Sequence, residues 1–180
     1  MSSSASDPFY SPPVLSFIGW HNSGKTTLIC KVLTHMKRKG YTVGVIKSTK
    51  ERDILIDQPS TDTARYRATG IDGIALLAPD QLIVQLRPPD MELRSLARWL
   101  FPEVDVVLAE GFKHSTDVPK IEVRRDPHSP LLYEQVTGVV AVATDLPLSE
   151  RLRFRLDQSF EIAEFIELHL GLKGGAELIK

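Results

Sequence analysis

A single cysteine, Cys30, is the only thiol in a chain of 180 residues. One cysteine cannot close an intrachain disulfide, which suits a reducing cytoplasm and leaves the fold to be held by packing. Cys30 falls inside a helical stretch and is expected to be a small buried apolar residue, not a reactive thiol. Long hydrophobic runs are also missing: none approaches the ~20 residues needed to span a bilayer, so no membrane contact is expected. Charge of one sign is lacking as well. Lys and Arg number 22 against 23 Asp and Glu, for a net charge of −1. Such a chain has no global field to draw in nucleic acid, and any charged ligand must be met by local groups. The five histidines, His21, His35, His114, His128 and His169, show no metal-ligand spacing, so a zinc or nickel site is not expected. There is no nucleophile elbow, internal repeat or arginine-rich lid. No water-positioning glutamine or arginine finger is evident, which predicts slow hydrolysis of any nucleotide without a partner.

What is present is an alternation of apolar strand-like and amphipathic helix-like segments in a chain that is 42% hydrophobic. That pattern predicts one α/β domain over residues 14–171. Residues 1–13 are rich in Ser and Pro, with neither a basic n-region nor an apolar h-region, and are expected to be a flexible tail. Residues 172–180 are expected to fray.

The strongest local signal follows the apolar run Val14-Leu15-Ser16-Phe17-Ile18. It is Gly19-Trp20-His21-Asn22-Ser23-Gly24-Lys25-Thr26, followed by Thr27, a complete phosphate-binding loop of the form GxxxxGK[ST]. Consecutive backbone N–H groups can curl around a pyrophosphate only where side chains leave room, hence Gly19 and Gly24. The loop opens a helix, whose N-terminal dipole then faces the phosphates. Lys25 is placed to reach the β- and γ-oxygens, and the Thr26 hydroxyl to ligate Mg²⁺. The fold expected is therefore P-loop NTPase-like: three layers around a mostly parallel sheet, plus an antiparallel hairpin.

The helix after the loop should run over residues 25–39, with Leu28, Val32, Leu33 and Met36 inward. The basic run Lys37-Arg38-Lys39 before Gly40 reads as a C-terminal stop. Residues 42–46 form a second strand, parallel to the first across a right-handed crossover. Residues 48–60 lack periodicity and read as a long loop, of a length that is commonly functional. Thr61-Asp62-Thr63 then starts a helix carrying Arg65 and Arg67. Residues 74–77 and 82–86 flank the turn Ala78-Pro79-Asp80-Gln81 and read as a hairpin whose exposed edge suits a second subunit. A helix over 91–101 should turn Leu93, Leu96, Ala97 and Leu100 inward, with Trp99 as packing. Strands follow at 104–111, 121–123 and 137–143, and a helix at 159–170 with Phe160, Ala163, Ile166 and Leu170 inward.

In an open parallel sheet, ligands bind beyond the carboxyl ends of the strands. Glu110 stands at such an end. With Thr26 it is a candidate for the metal shell, and with Lys25 a candidate for catalysis, while Gly111 lets a γ-phosphate pass close by. Asp145 ends a later strand. A strand-end aspartate there accepts the two donors, N1–H and the exocyclic amine, that guanine presents and adenine does not, which favours GTP.

The order and spacing of these pieces resemble the MobB family, the molybdopterin-guanine dinucleotide biosynthesis protein B. The resemblance rests on Gly19-Trp20 with Ser23-Gly24-Lys25-Thr26-Thr27, Ile46-Lys47, and Ile56-Asp57 with Pro59 and Asp62. It continues through the Arg65/Arg67 helix before Gly70, then Ala109-Glu110-Gly111-Phe112-Lys113 and Pro119-Lys120-Ile121-Glu122-Val123, and covers residues 14–145. It implies a GTP- and Mg²⁺-binding homodimer that assists a molybdenum-cofactor nucleotidyltransferase in forming or delivering the guanine dinucleotide, with at most weak GTPase activity. Asp57 and Asp62 become switch-region candidates, and Lys47, Lys113 and Arg65 candidate anion contacts; direct contact with molybdopterin is left open. Where the family usually shows histidines after the second strand, this chain has Ser48, Lys50 and Glu51. The alternative from the loop alone is a stand-alone P-loop NTPase or a small-molecule kinase.

Overall fold

The computed structural model describes residues 10–52, 54, 61–148 and 152–172. Its elements, in order, are β1 (Val14–Ile18), α1 (Lys25–Arg38), β2 (Val43–Lys47), α2 (Asp62–Ala68), β3 (Gly73–Leu77), β4 (Leu82–Leu86), α3 (Leu93–Leu100), β5 (Val106–Glu110), β6 (Lys120–Val123), a 3₁₀ turn at Leu132–Glu134, β7 (Val139–Ala143), β8 (Arg153–Phe154) and α4 (Ser159–Leu170). The chain forms two compact units, residues 1–49 with 92–180, and residues 50–91. Expectations for the tails at 1–9 and 173–180, and for Asp57, lie outside the described residues.

In the larger unit six strands form one sheet in the order β2-β5-β1-β6-β7-β8, with every neighbouring pair parallel. A parallel sheet is covered on both faces, so its strands carry continuous apolar runs. Alternate residues point to opposite faces. Leu15, Phe17, Val106, Leu108, Ile121, Val123, Ala141 and Ala143 pack under Leu28, Ile29, Val32 and Met36 of α1 and Ile162, Ala163 and Ile166 of α4. On the other face Val14, Ile46, Val107 and Ala109 pack against Leu93 and Ala97 of α3.

Several expectations change. β1 and β2 are parallel, as expected, and β5, buried on both faces from Val106 to Ala109, lies between them, a position the sequence did not indicate. The short edge strand β8 carries too little pattern to be read from sequence. Cys30 is exposed, since two residues from Leu28 it lies off the buried stripe of α1. Trp99 and Leu100 are 53% and 45% exposed. Phe101 takes the inward place instead, its ring so close to Gly44 that a Cβ there would meet it at 2.8 Å. Phe160 is also exposed; its ring meets His35 edge-on and lies under Lys39, while Ile162 fills the core.

In the smaller unit the Thr61 hydroxyl caps α2 by accepting from the Ala64 N–H at 3.3 Å. The hairpin pairs β3 with β4 from Gly73↔Leu86 to Leu77↔Leu82, as a separate two-stranded sheet.

β6 buries two charged residues, Lys120 and Glu122. Lys120 Nζ donates to the carbonyls of Thr137 at 2.9 Å and Val118 at 3.3 Å. Burial holds its pKa below the usual lysine value, with Asp117 pulling the other way. The Glu122 carboxylate accepts from the backbone N–H of Leu132 at 3.1 Å and of Tyr133 at 3.0 Å, which ties the 3₁₀ turn to the sheet. Glu122→Ala leaves those amides without that acceptor and should cost about 3 kcal/mol of stability, read as a lower urea midpoint. Glu122→Gln keeps one acceptor oxygen and should lose roughly half as much; an unchanged midpoint in both variants would contradict the assignment.

Candidate functional site

The loop between β1 and α1 is shaped by its glycines. A Cβ on Gly19 would collide with the Val123 carbonyl oxygen, and Gly24 adopts φ +90°. Asn22 also lies in the left-handed region at φ 59°, which asparagine tolerates. Ser23 is buried, and its N–H donates to the Trp20 carbonyl at 3.3 Å. α1 has neither a side-chain cap nor an acid in its first turn, so nothing on its own sequence neutralises the N–H groups and positive dipole end there. Thr27 is exposed in that turn, and His21 at the loop's crest.

Lys25 folds back over the loop. Its Nζ donates to the carbonyls of Trp20 at 2.8 Å and Gly19 at 3.1 Å, and lies 3.4 Å from the Ser23 hydroxyl. Burial lowers its pKa, partly countered by Glu110 and reinforced by Lys47. Strand register brings the remaining groups alongside. Glu110 is opposite Phe17 of β1 on one side and Lys47 of β2 on the other. The Thr26 hydroxyl is 2.9 and 3.0 Å from the two Glu110 carboxylate oxygens, and Lys47 Nζ is 3.4 Å from the same group. A hydroxyl and a carboxylate converging at the start of the helix are hard oxygen donors, the kind Mg²⁺ takes together with substrate phosphates. The residues thus fit that ion.

Lys113 also reaches the loop, its Nζ 5.1 Å from the centroid of the Trp20 ring, a cation–π distance. Trp20 Nε1 donates to the Pro130 carbonyl at 2.8 Å, so the ring is fixed between two segments. Asp145 is exposed just past β7. One of its oxygens accepts from the Leu156 N–H at 3.1 Å, and the Thr144 hydroxyl accepts from the Leu146 N–H, which fixes the turn. Asp62 and Arg65 belong to the smaller unit, where they pair with each other on α2 at 3.5 Å, both largely exposed.

Two residues at the loop were not singled out from sequence. Ser16 is fully buried in β1, and its hydroxyl donates to the Gly111 carbonyl at 2.7 Å, which holds the strand end bearing Glu110. A polar residue inside an apolar strand was the available signal. Arg125, just beyond β6, has its guanidinium against Gly24; only the adjacency of β6 to β1 reveals that.

Comparison with known proteins agrees with this architecture. The family model described as MobB, Molybdopterin guanine dinucleotide synthesis protein B, matches residues 14–145, from the first residue of β1 to Asp145. The chain is 33% identical over 143 residues to the molybdopterin-guanine dinucleotide biosynthesis adapter protein of Escherichia coli K12, covering 76% of this chain and 81% of that one. It is 33% identical over 159 residues to the adapter protein of the same description from Haemophilus influenzae, covering 86% and 88%. The solved structure of Bacillus subtilis MobB superposes with a TM-score of 0.66 at 25% identity, over 90% of this chain and 99% of that one. Sequence, sheet order and phosphate loop lead to one conclusion: the chain belongs to the MobB family.

Proposed function

We propose that this chain is a GTP·Mg²⁺-binding adapter for the nucleotidyltransferase that builds molybdopterin guanine dinucleotide, acting in the cytoplasm and turning GTP over slowly. The observation that carries the reading is the contact of Thr26 with both oxygens of Glu110 at the mouth of the phosphate loop. It sets metal-ligand oxygens where α1 offers uncapped N–H groups and Lys25 an ammonium. The relatives described as adapter proteins supply the pathway. In this role the loop N–H groups and Lys25 cradle the phosphates, with Lys47 and Lys113 adding positive charge at the rim. Bound there, Mg²⁺ would neutralise charge between the β- and γ-phosphates.

Asp145 supports guanine over adenine. Its carboxylate is fixed by the Leu156 N–H and faces solvent beyond β7, in the row of strand ends that ligands occupy in open parallel sheets. Xanthine presents a carbonyl where guanine has its exocyclic amine, so an amide in place of the carboxylate reverses the match. Asp145→Asn is expected to weaken GTP and strengthen XTP, each by about tenfold or more, in competition binding with a fluorescent nucleotide. If GTP and ATP bind the wild type equally, or the variant leaves both affinities unmoved, Asp145 does not read the base.

Turnover separates an adapter from a kinase or stand-alone NTPase. Purified protein should hydrolyse GTP far more slowly than the ~1–100 s⁻¹ of kinases; phosphorylation of an acceptor at such rates would overturn the adapter reading.

The hairpin supports a homodimer. Leu77 and Leu82, paired across it, are 80% and 61% exposed, and Leu76, Val84 and Leu86 are exposed too. A lone two-stranded ribbon is marginal in water, and its open edges invite pairing with an identical strand. Light scattering should show twice the 20.1 kDa chain mass, reduced to one chain by Leu77→Asp with Leu82→Asp while nucleotide binding persists. A wild-type monomer, or a variant that remains dimeric, would rule out this interface.

A further inference from the structure

β6 runs beside β1, with Ser16↔Lys120, Phe17↔Ile121 and Ile18↔Glu122 in register. The residues that leave its carboxyl end therefore rise alongside the phosphate loop, and the Val123 carbonyl already closes on Gly19. Two arginines come next, and they are used differently. Arg124 is spent on its own turn: Nε donates to the Asp126 carbonyl at 3.2 Å and Nη2 to the Pro127 carbonyl at 2.8 Å. Arg125 is exposed and lies over Gly24. A Cβ on that glycine would be 3.3 Å from Nε and 3.4 Å from Cζ and Nη2 of the guanidinium. Among the described residues no hydrogen bond or ion pair is recorded for Arg125, so its fork of five N–H donors is open.

The electrostatics of that position are unfavourable without a ligand. Gly24 is the N-cap of α1, whose first turn carries no acid, so the guanidinium stands at the positive end of a helix dipole, where cations are disfavoured. Lys25 adds a second positive charge at the next residue. A planar, bidentate cation held at the mouth of an anion-binding loop, with no anion of its own, matches a phosphate chain.

We propose that Arg125 is a phosphate-binding residue of the nucleotide site, gripping the α- and β-phosphates from the β6 side while Lys25 reaches the β- and γ-phosphates from the loop. The inference rests on the nucleotide-binding reading of the loop and adds a contact from outside its motif. The level of Gly24, one residue before Lys25, corresponds to the α/β end of the chain. Arg125 therefore contributes to diphosphate and triphosphate alike and does not act as a γ-phosphate finger.

The test is calorimetric titration of the full-length protein with Mg·GDP and Mg·GTP, for wild type, Arg125→Ala, Arg125→Lys and Lys25→Ala, with thermal melts to verify folding. Arg125→Ala should bind both nucleotides about 10- to 100-fold more weakly, the loss expected for charge-assisted hydrogen bonds. It should melt like wild type, because the exposed side chain holds nothing else. Arg125→Lys should recover only part of the affinity, having charge without the fork. If Arg125→Ala binds both nucleotides as wild type does while Lys25→Ala loses them, the nucleotide site stands and the Arg125 contact is refuted. A loss confined to GTP would move the contact to the γ-phosphate and overturn the α/β assignment. No binding by wild type would refute the nucleotide reading itself, and the inference with it.

Discussion

The bonds from Lys25 to the carbonyls of Gly19 and Trp20 hold together a piece of structure that is otherwise full of like polarity. The loop and the first turn of α1 direct N–H groups and a helix dipole into one small space, with no side-chain cap and no acid of the helix's own first turn to answer them, and the carboxylate placed there, Glu110, comes from β5. By reaching back to the loop's own carbonyl oxygens, Lys25 ties the ends of the backbone curl together in the absence of nucleotide. The remaining geometry serves this constraint. Gly19 leaves room for the Val123 carbonyl, Gly24 turns the chain into the helix, and the Trp20 side chain pins the outer edge of the loop to the segment around Pro130.

The sheet turns that local device into a site. Because β5 lies between β1 and β2, Glu110 is flanked by the phosphate loop on one side and Lys47 on the other. β6 on the opposite side of β1 brings up a second set of residues. The chain leaves β1 toward β2 in one direction, while β6, β7 and β8 extend in the other. The crevice at such a reversal is where doubly wound folds bind ligands. The polar residues buried beneath it, Ser16, Lys120 and Glu122, each find backbone partners. They fix the heights of the strand ends without competing for the space above.

What could be read from the chain follows the range of the forces involved. The phosphate loop, α1 and the hairpin are written in residues a few positions apart, where glycine conformation, helix periodicity and strand alternation act. Glu110 could be singled out because it ends an apolar run, and strand ends in such sheets face the ligand; Lys47 was suggested only by the family resemblance. Strand order was not legible, since it depends on which buried strand occupies the centre. Nor was Arg125, whose neighbour Gly24 is distant in sequence and near only through the pairing of β6 with β1. The misplacements of Cys30, Trp99, Leu100 and Phe160 share one cause. A helix on a sheet buries a narrow stripe, and an apolar residue just off it stays at the surface when a neighbour such as Phe101 or Ile162 fills the space first.

A nucleotide should displace Lys25 from its own loop, and that exchange lies at the centre of this account. The most direct measurement is a crystal structure of the protein with Mg²⁺ and a non-hydrolysable GTP analogue. The predicted result has Lys25 Nζ moved from the Gly19 and Trp20 carbonyls to the β- and γ-phosphate oxygens, with the Thr26 hydroxyl on the metal and Glu110 in its shell, directly or through water. A nucleotide bound away from the loop, or Lys25 still on those carbonyls with the loop filled, would contradict it.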